Sequence, residues 1–126
     1  MRFLCVYKPS KQEGAPPTEQ AVEKMGKFVE ESMKSGILLA TEGCMPSVKG
    51  ARVRLSGGTF SVTDGPFTET KELIAGFALV QAKSKEEAVE YAKTFLNLAG
   101  EGETEIRQVY EASDFGHCME AGPNTR

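Results

Sequence analysis

The sequence predicts an α+β domain in which an antiparallel sheet carries two helices on one face and a β-hairpin is added between two halves. Three observations predict it. Two capped stretches repeat their apolar residues at helical spacing, short apolar runs of strand character flank them, and Ser56-Gly57-Gly58 separates two alternating runs mid-chain. At 126 residues the chain falls below the roughly 150 that one domain commonly uses, so a single core is expected.

Arg2–Tyr7 puts Phe3, Cys5 and Tyr7 on one side and Leu4 and Val6 on the other, which reads as a strand buried on both faces. Lys8–Pro17, with Gly14, Pro16 and Pro17, has loop chemistry. Thr18 is placed to cap a helix over Glu19–Ser35, with the Glu19 carboxylate at the positive end of the helix dipole. Val22, Met25, Val29 and Met33 form its apolar stripe, Phe28 widens it, and Gly36 supplies a left-handed stop. Ile37–Thr41 is a second strand running into Glu42-Gly43. Ala51–Leu55 and Thr59–Thr63 form the hairpin, with Arg52 and Arg54 outward. Asp64-Gly65-Pro66-Phe67 is a turn by composition.

Leu73–Ala82 is the most apolar strand, with Leu73, Ala75, Phe77 and Leu79 on one face and Ile74, Ala78 and Val80 on the other. Ser84 and Glu87 make a capping box for a helix whose stripe is Ala88, Ala92, Phe95, Leu96 and Ala99. Glu105–Ala112 is the last strand. The domain is therefore expected over 1–112, and 113–126 is a tail whose Gly116, Gly122 and Pro123 are compatible with disorder. This order resembles the split βαβ plan of ferredoxin-like domains with an added hairpin. In that plan one sheet face stays open, and two doubly apolar strands would expose a large patch there, so a homodimer joined through sheet faces is expected.

Fifteen Lys and Arg against eighteen Asp and Glu leave a net charge of −3, so no basic excess points to nucleic acid or an anionic membrane. The apolar Leu73–Ala82 window is much shorter than the roughly 20 residues that cross a bilayer. Only six residues separate Met1 from Lys8, too few for a signal-peptide core, and three cysteines are an odd number, so a reduced, cytoplasmic setting is expected. His117-Cys118 is the only close pair of soft ligands, and neither metal nor cofactor is expected.

The run Val62-Thr63-Asp64-Gly65-Pro66-Phe67-Thr68-Glu69-Thr70-Lys71-Glu72-Leu73-Ile74-Ala75-Gly76-Phe77 resembles the signature of the DGPF-motif branch of the YCII-related proteins. The opening strand ending in Tyr7, Glu42-Gly43, and Glu105-Ile106-Arg107-Gln108-Val109 agree with it, and the resemblance spans roughly Met1–Glu111. It implies a dimeric ferredoxin-like α+β fold. Some relatives are proposed to be small enzymes using a His and Asp pair, but here the sole histidine, His117, lies in the tail.

Asp64 has two readings. Held by the rigid Gly-Pro turn, its carboxylate could serve in a cleft as an acid/base group with Glu42, since two close carboxylates push one pKa upward. It could equally accept hydrogen bonds from its own turn, the commoner use of Asp before Gly. Tyr7, Glu69 and Lys71 are candidate ligand-binding neighbours, against packing for Tyr7 and a solvated charged loop for the others. Phe67 is expected to plug the core. Binding of a small polar ligand near the Asp64 loop, in a regulatory or non-catalytic role, ranks above a cofactor-independent enzyme using Asp64 and Glu42. No residue here supplies a clear nucleophile.

Overall fold

The computed structural model describes residues 1–10, 17–69 and 73–115. Its elements are β1 (Arg2–Pro9), α1 (Glu19–Ser35), β2 (Leu38–Gly43), a 3-10 turn (Ser47–Lys49), β3 (Ala51–Ser56), β4 (Thr59–Asp64), β5 (Gly76–Gln81), α2 (Lys85–Ala99), β6 (Gly102–Gln108) and a single helical turn, α3 (Ala112–Phe115).

Four strands pair in the order β2-β5-β1-β6, every neighbour antiparallel, while β3 and β4 form a two-stranded sheet of their own. With the hairpin set aside this is the ferredoxin-like arrangement, each half a strand, a helix and a strand. The α+β fold expected from the order of elements is the fold observed.

Caps decide the helix limits. Thr18 Oγ1 accepts from the Ala21 N–H at 3.1 Å, and Gly36 closes α1 at φ +88°. At α2, Ser84 Oγ accepts from the Glu87 N–H, while the Glu87 carboxylate reaches past the capping residue to the Lys83 N–H. The buried face of α1 is rotated from the expected stripe. Met25, Phe28 and Val29 are half-buried and Ser32 is buried, whereas Val22 and Met33 are exposed. Ser32 is buried beside the Tyr91 phenol of α2, whose pKa it lowers against the stronger upward push of burial.

Strand limits differ from the sequence reading, by one or two residues at β1 to β4 and by more at β5 and β6. Leu73 is buried but precedes β5, which begins only at Gly76. The last strand starts earlier, because Gly102, Glu103 and Thr104 pair with Pro9, Lys8 and Tyr7. It ends at Gln108, opposite Phe3, where β1 is nearly exhausted. Of the expected tail, residues 113–115 continue α3, with the Asp114 carboxylate accepting from the Glu111 N–H at 2.7 Å. Residues 116–126, including His117, lie outside the described residues.

Register separates the two faces. Phe3 stands opposite Val80 and Cys5 opposite Ala78, and these join Leu38, Ala82 and Ala88 in the core beneath α1 and α2. Leu4 pairs with Leu79 and Val6 with Phe77 on the other face, extended by Ala40 of β2 and bounded by Glu42 and by Arg107 and Glu105 of β6. Both long helices lie on the first face.

At the β6 margin Glu105 accepts from the Lys8 ammonium and the Arg107 guanidinium, each at 2.7 Å. These two cations, Lys8 foremost, hold its carboxyl below the ordinary value. Such a group contributes stability above its unfolded pKa of about 4.3, and loses it as pH falls through the lower folded value. Glu105→Gln is therefore expected to be less stable than the natural chain at pH 7, and the difference to vanish in acid. Urea unfolding at pH 7 and in acid checks it. A difference that grows on acidification would reverse the sign.

Candidate functional site

A pocket of about 510 Å³ lies between the helix layer and the sheet. Its origin is a change of side-chain size along one face. At one end Phe3, Val80 and Leu38 fill the space up to the helices. Toward the other end the register sets Cys5 against Ala78 and Tyr7 against Gly76, and these small β5 residues leave a void. The backbones are also close there, since a Cβ on Gly76 would lie 2.9 Å from the Glu42 carbonyl oxygen.

Aromatic rings wall the pocket. Phe28 of α1 stacks on Tyr91 of α2 with centroids 5.1 Å apart, and Tyr7 meets Phe95 edge to face at 5.3 Å. Polar groups are few and mostly engaged. The Tyr7 hydroxyl donates to the Gly100 and Glu101 carbonyls at 3.3 and 3.2 Å, and the Thr41 hydroxyl donates to the Phe77 carbonyl at 2.8 Å. Thr104 Oγ1 is buried without a hydrogen-bond partner. Burial pushes the Tyr7 and Tyr91 phenols and the Cys5 thiol upward, so none of the three is ionised near neutrality.

Of the residues singled out in the sequence, the structure brings Tyr7 to this pocket; Glu42 borders it at β2, with its side chain beside Phe77 on the open face. Asp64 is elsewhere, at the end of β4 in the separate two-stranded sheet, exposed and not among the pocket residues. The turn after it does not use the Asp64 carboxylate. It is held by the Gly65 N–H on the Gly50 carbonyl at 3.0 Å and by the Phe67 N–H on Ser47 Oγ at 2.9 Å. Phe67 is not a core plug. Its ring is half-buried under the Arg52 guanidinium, 3.8 Å from the centroid.

Glu69 is exposed, and Lys71 lies outside the described residues. Among the described residues no group of three His, Cys, Asp or Glu could hold a metal ion, and no helix is long and apolar enough to cross a membrane. Sequence reading missed the pocket itself. Its signals were the small Gly76 and Ala78 within a large-residue strand and the pair Tyr91 and Phe95 one helical turn apart.

The YCII-related domain family matches residues 1–113. An uncharacterized protein, R00369, from Rhizobium meliloti (strain 1021) is 32% identical over 79 residues, which span 63% of this chain and 64% of that protein. Among solved structures, 5-chloro-2-hydroxyhydroquinone dehydrochlorinase from Burkholderia phenoliruptrix AC1100, in complex with 2,5-dihydroxybenzoquinone, is similar with a TM-score of 0.47 and 14% identity. That alignment covers 90% of this chain and 98% of the enzyme.

Proposed function

We propose that this chain, which belongs to the YCII-related domain family, binds a small, largely apolar, ring-bearing molecule in the helix–sheet pocket, in a regulatory or non-catalytic role. The observation that carries this is an aromatic-walled cavity of about 510 Å³, inside the range of roughly 300–1,000 Å³ typical of small-molecule sites. The ligand is less polar than composition near the Asp64 loop suggested, because the walls are Phe28, Tyr91 and Phe95 rather than charged residues. A homodimer, with a second copy over the open sheet face, and a cytoplasmic setting with Cys5 and Cys44 as free thiols belong to the same proposal.

The enzymatic alternative has Glu42 and Asp64 exchange protons with a bound substrate. Glu42 borders the pocket through its backbone, whereas its pairing with Phe77 puts its side chain on the open sheet face, so the geometry favours binding over this plan. Catalysis on that plan needs Asp64 to reach the same ligand, which a second copy would have to arrange.

The test is thermal denaturation with monocyclic phenols and quinones set against open-chain polar acids. A ligand at about 100 times its dissociation constant stabilises by roughly 2.7 kcal/mol, so binders raise the melting temperature measurably. Ring compounds are expected to stabilise the natural chain and Asp64→Asn alike. Ala78→Phe is expected to abolish the shift while keeping the fold, since its new ring occupies the void. Stabilisation by polar acids alone, lost in Asp64→Asn, would replace this reading with a site at the Asp64 loop. Turnover of a binder that disappears in Glu42→Gln would favour the enzyme.

A further inference from the structure

One row of side chains crosses the floor of the helix–sheet pocket: Thr41 of β2, Ala78 of β5 and Cys5 of β1, paired in register on the face beneath the helices. Ala78 brings no polar side-chain atom and the Cys5 thiol is a weak donor and acceptor, so the Thr41 hydroxyl is the strong hydrogen-bonding group of that row. Its proton is already placed. The hydroxyl donates to the Phe77 carbonyl at 2.8 Å, which leaves the oxygen with lone pairs and nothing to give.

From this committed proton we infer that Thr41 sets the hydrogen-bonding sense of the ligand, so that the pocket takes an un-ionised hydroxylated ring whose O–H donates to Thr41 Oγ1, in preference to a phenolate or to a ring that can only accept, such as a quinone. The inference rests on the ring-binding reading above and narrows its ligand class. An acceptor set against Thr41 meets lone pairs with lone pairs. A phenolate fares worse, because its charge would leave water with no lysine or arginine among the described residues that line the pocket.

The other polar groups of the pocket do not reverse this preference. Tyr7 has spent its proton on the Gly100 and Glu101 carbonyls. The Thr104 hydroxyl has no partner, but its oxygen is buried, so a ring resting in the open space does not meet it. The Tyr91 phenol lies beside the buried Ser32, on a ring stacked with Phe28. Glu42 turns its side chain to the open sheet face. Cys5, Tyr7 and Tyr91, the titratable groups that face a bound ring, are all pushed upward by burial and keep their protons near neutrality.

Calorimetric titration with para-cresol and with para-fluorotoluene, which has the same outline and no proton to donate, tests this in the natural chain, Thr41→Val and Thr41→Ser. Thr41→Val keeps the branched shape and removes the acceptor. It is expected to weaken cresol binding about 3- to 10-fold, the net worth of one hydrogen bond, and to leave fluorotoluene binding unchanged or tighter. Thr41→Ser restores the hydroxyl and is expected to bind cresol as the natural chain does. A purely structural role for Thr41 would weaken both rings together. In the natural chain, affinity for para-nitrophenol is expected to fall about tenfold for each pH unit above the pKa of the ligand itself. Cresol binding that survives Thr41→Val, parallel loss of both rings, or a nitrophenolate bound as tightly as the neutral phenol overturns the inference and leaves the ring-binding pocket standing. A natural chain that binds neither ring overturns the reading of the pocket and the inference with it.

Discussion

Phe3→Ala is expected to lower the free energy of unfolding by about 3–5 kcal/mol, the range for truncating a buried aromatic. Phe3 is 1% exposed, stands opposite the fully buried Val80, and touches the cluster that includes Leu38, Ala82 and Ala88. β1 is held on both sides by β5 and β6, so the backbone has little freedom to close the resulting void. The helix–sheet pocket lies at the other end of the same face, and the new cavity would weaken the packing between the two. Against a total stability of roughly 5–15 kcal/mol, such a loss is a large fraction. Urea unfolding followed by circular dichroism measures it. A loss under about 1 kcal/mol would mean that this end of the helix–sheet layer is as loosely packed as the pocket.

Gly65→Ala is expected to cost about 3 kcal/mol or more, beyond the ordinary scale of overpacking. A Cβ on Gly65 would fall inside the Ser47 carbonyl oxygen and press on the Val48 nitrogen, all backbone atoms of the 3-10 turn that anchors the hairpin root. No side-chain rearrangement relieves that contact. The turn or the strand must move, breaking the Gly65 N–H bond to Gly50 that joins the root of β3 to that of β4. Amide exchange at Gly65 should accelerate with the loss of stability. Gly26→Ala is the control. Its Cβ meets nothing within 4 Å, so the same change in a helix interior is expected to stabilise by about 0.5–1 kcal/mol. Equal effects at the two positions would remove the steric account of Gly65.

Features governed by neighbours along the chain were readable from residues alone. Helix α1 occupies Glu19–Ser35 as its cap and stop residues indicate, because Thr18 and Gly36 act on groups within one turn of themselves. The hairpin follows from Gly57 and Gly58, whose φ of +58° and +81° few other residues adopt. The split of Phe77 and Leu79 from Ala78 and Val80 follows from the two-residue period of a strand. The run through Asp64-Gly65-Pro66-Phe67 pointed to the family that the chain belongs to.

What tertiary structure alone decided depends on residues distant in sequence. Strand limits moved because pairing stops where a partner stops, as β6 does opposite Phe3. The stripe of α1 rotated because its buried face is set by what α2 presents, with Phe28 stacked on Tyr91 far along the chain, which no local rule foresees. Glu42 came to the pocket border while Asp64 went with the hairpin to a different sheet, so charge in the sequence did not locate the cavity. The pocket exists because Gly76 and Ala78 happen to oppose Tyr7 and Cys5 beneath two helices. Caps, turns and alternation are set by short-range sterics written into adjacent residues, whereas a cavity is the space that several distant segments together fail to fill.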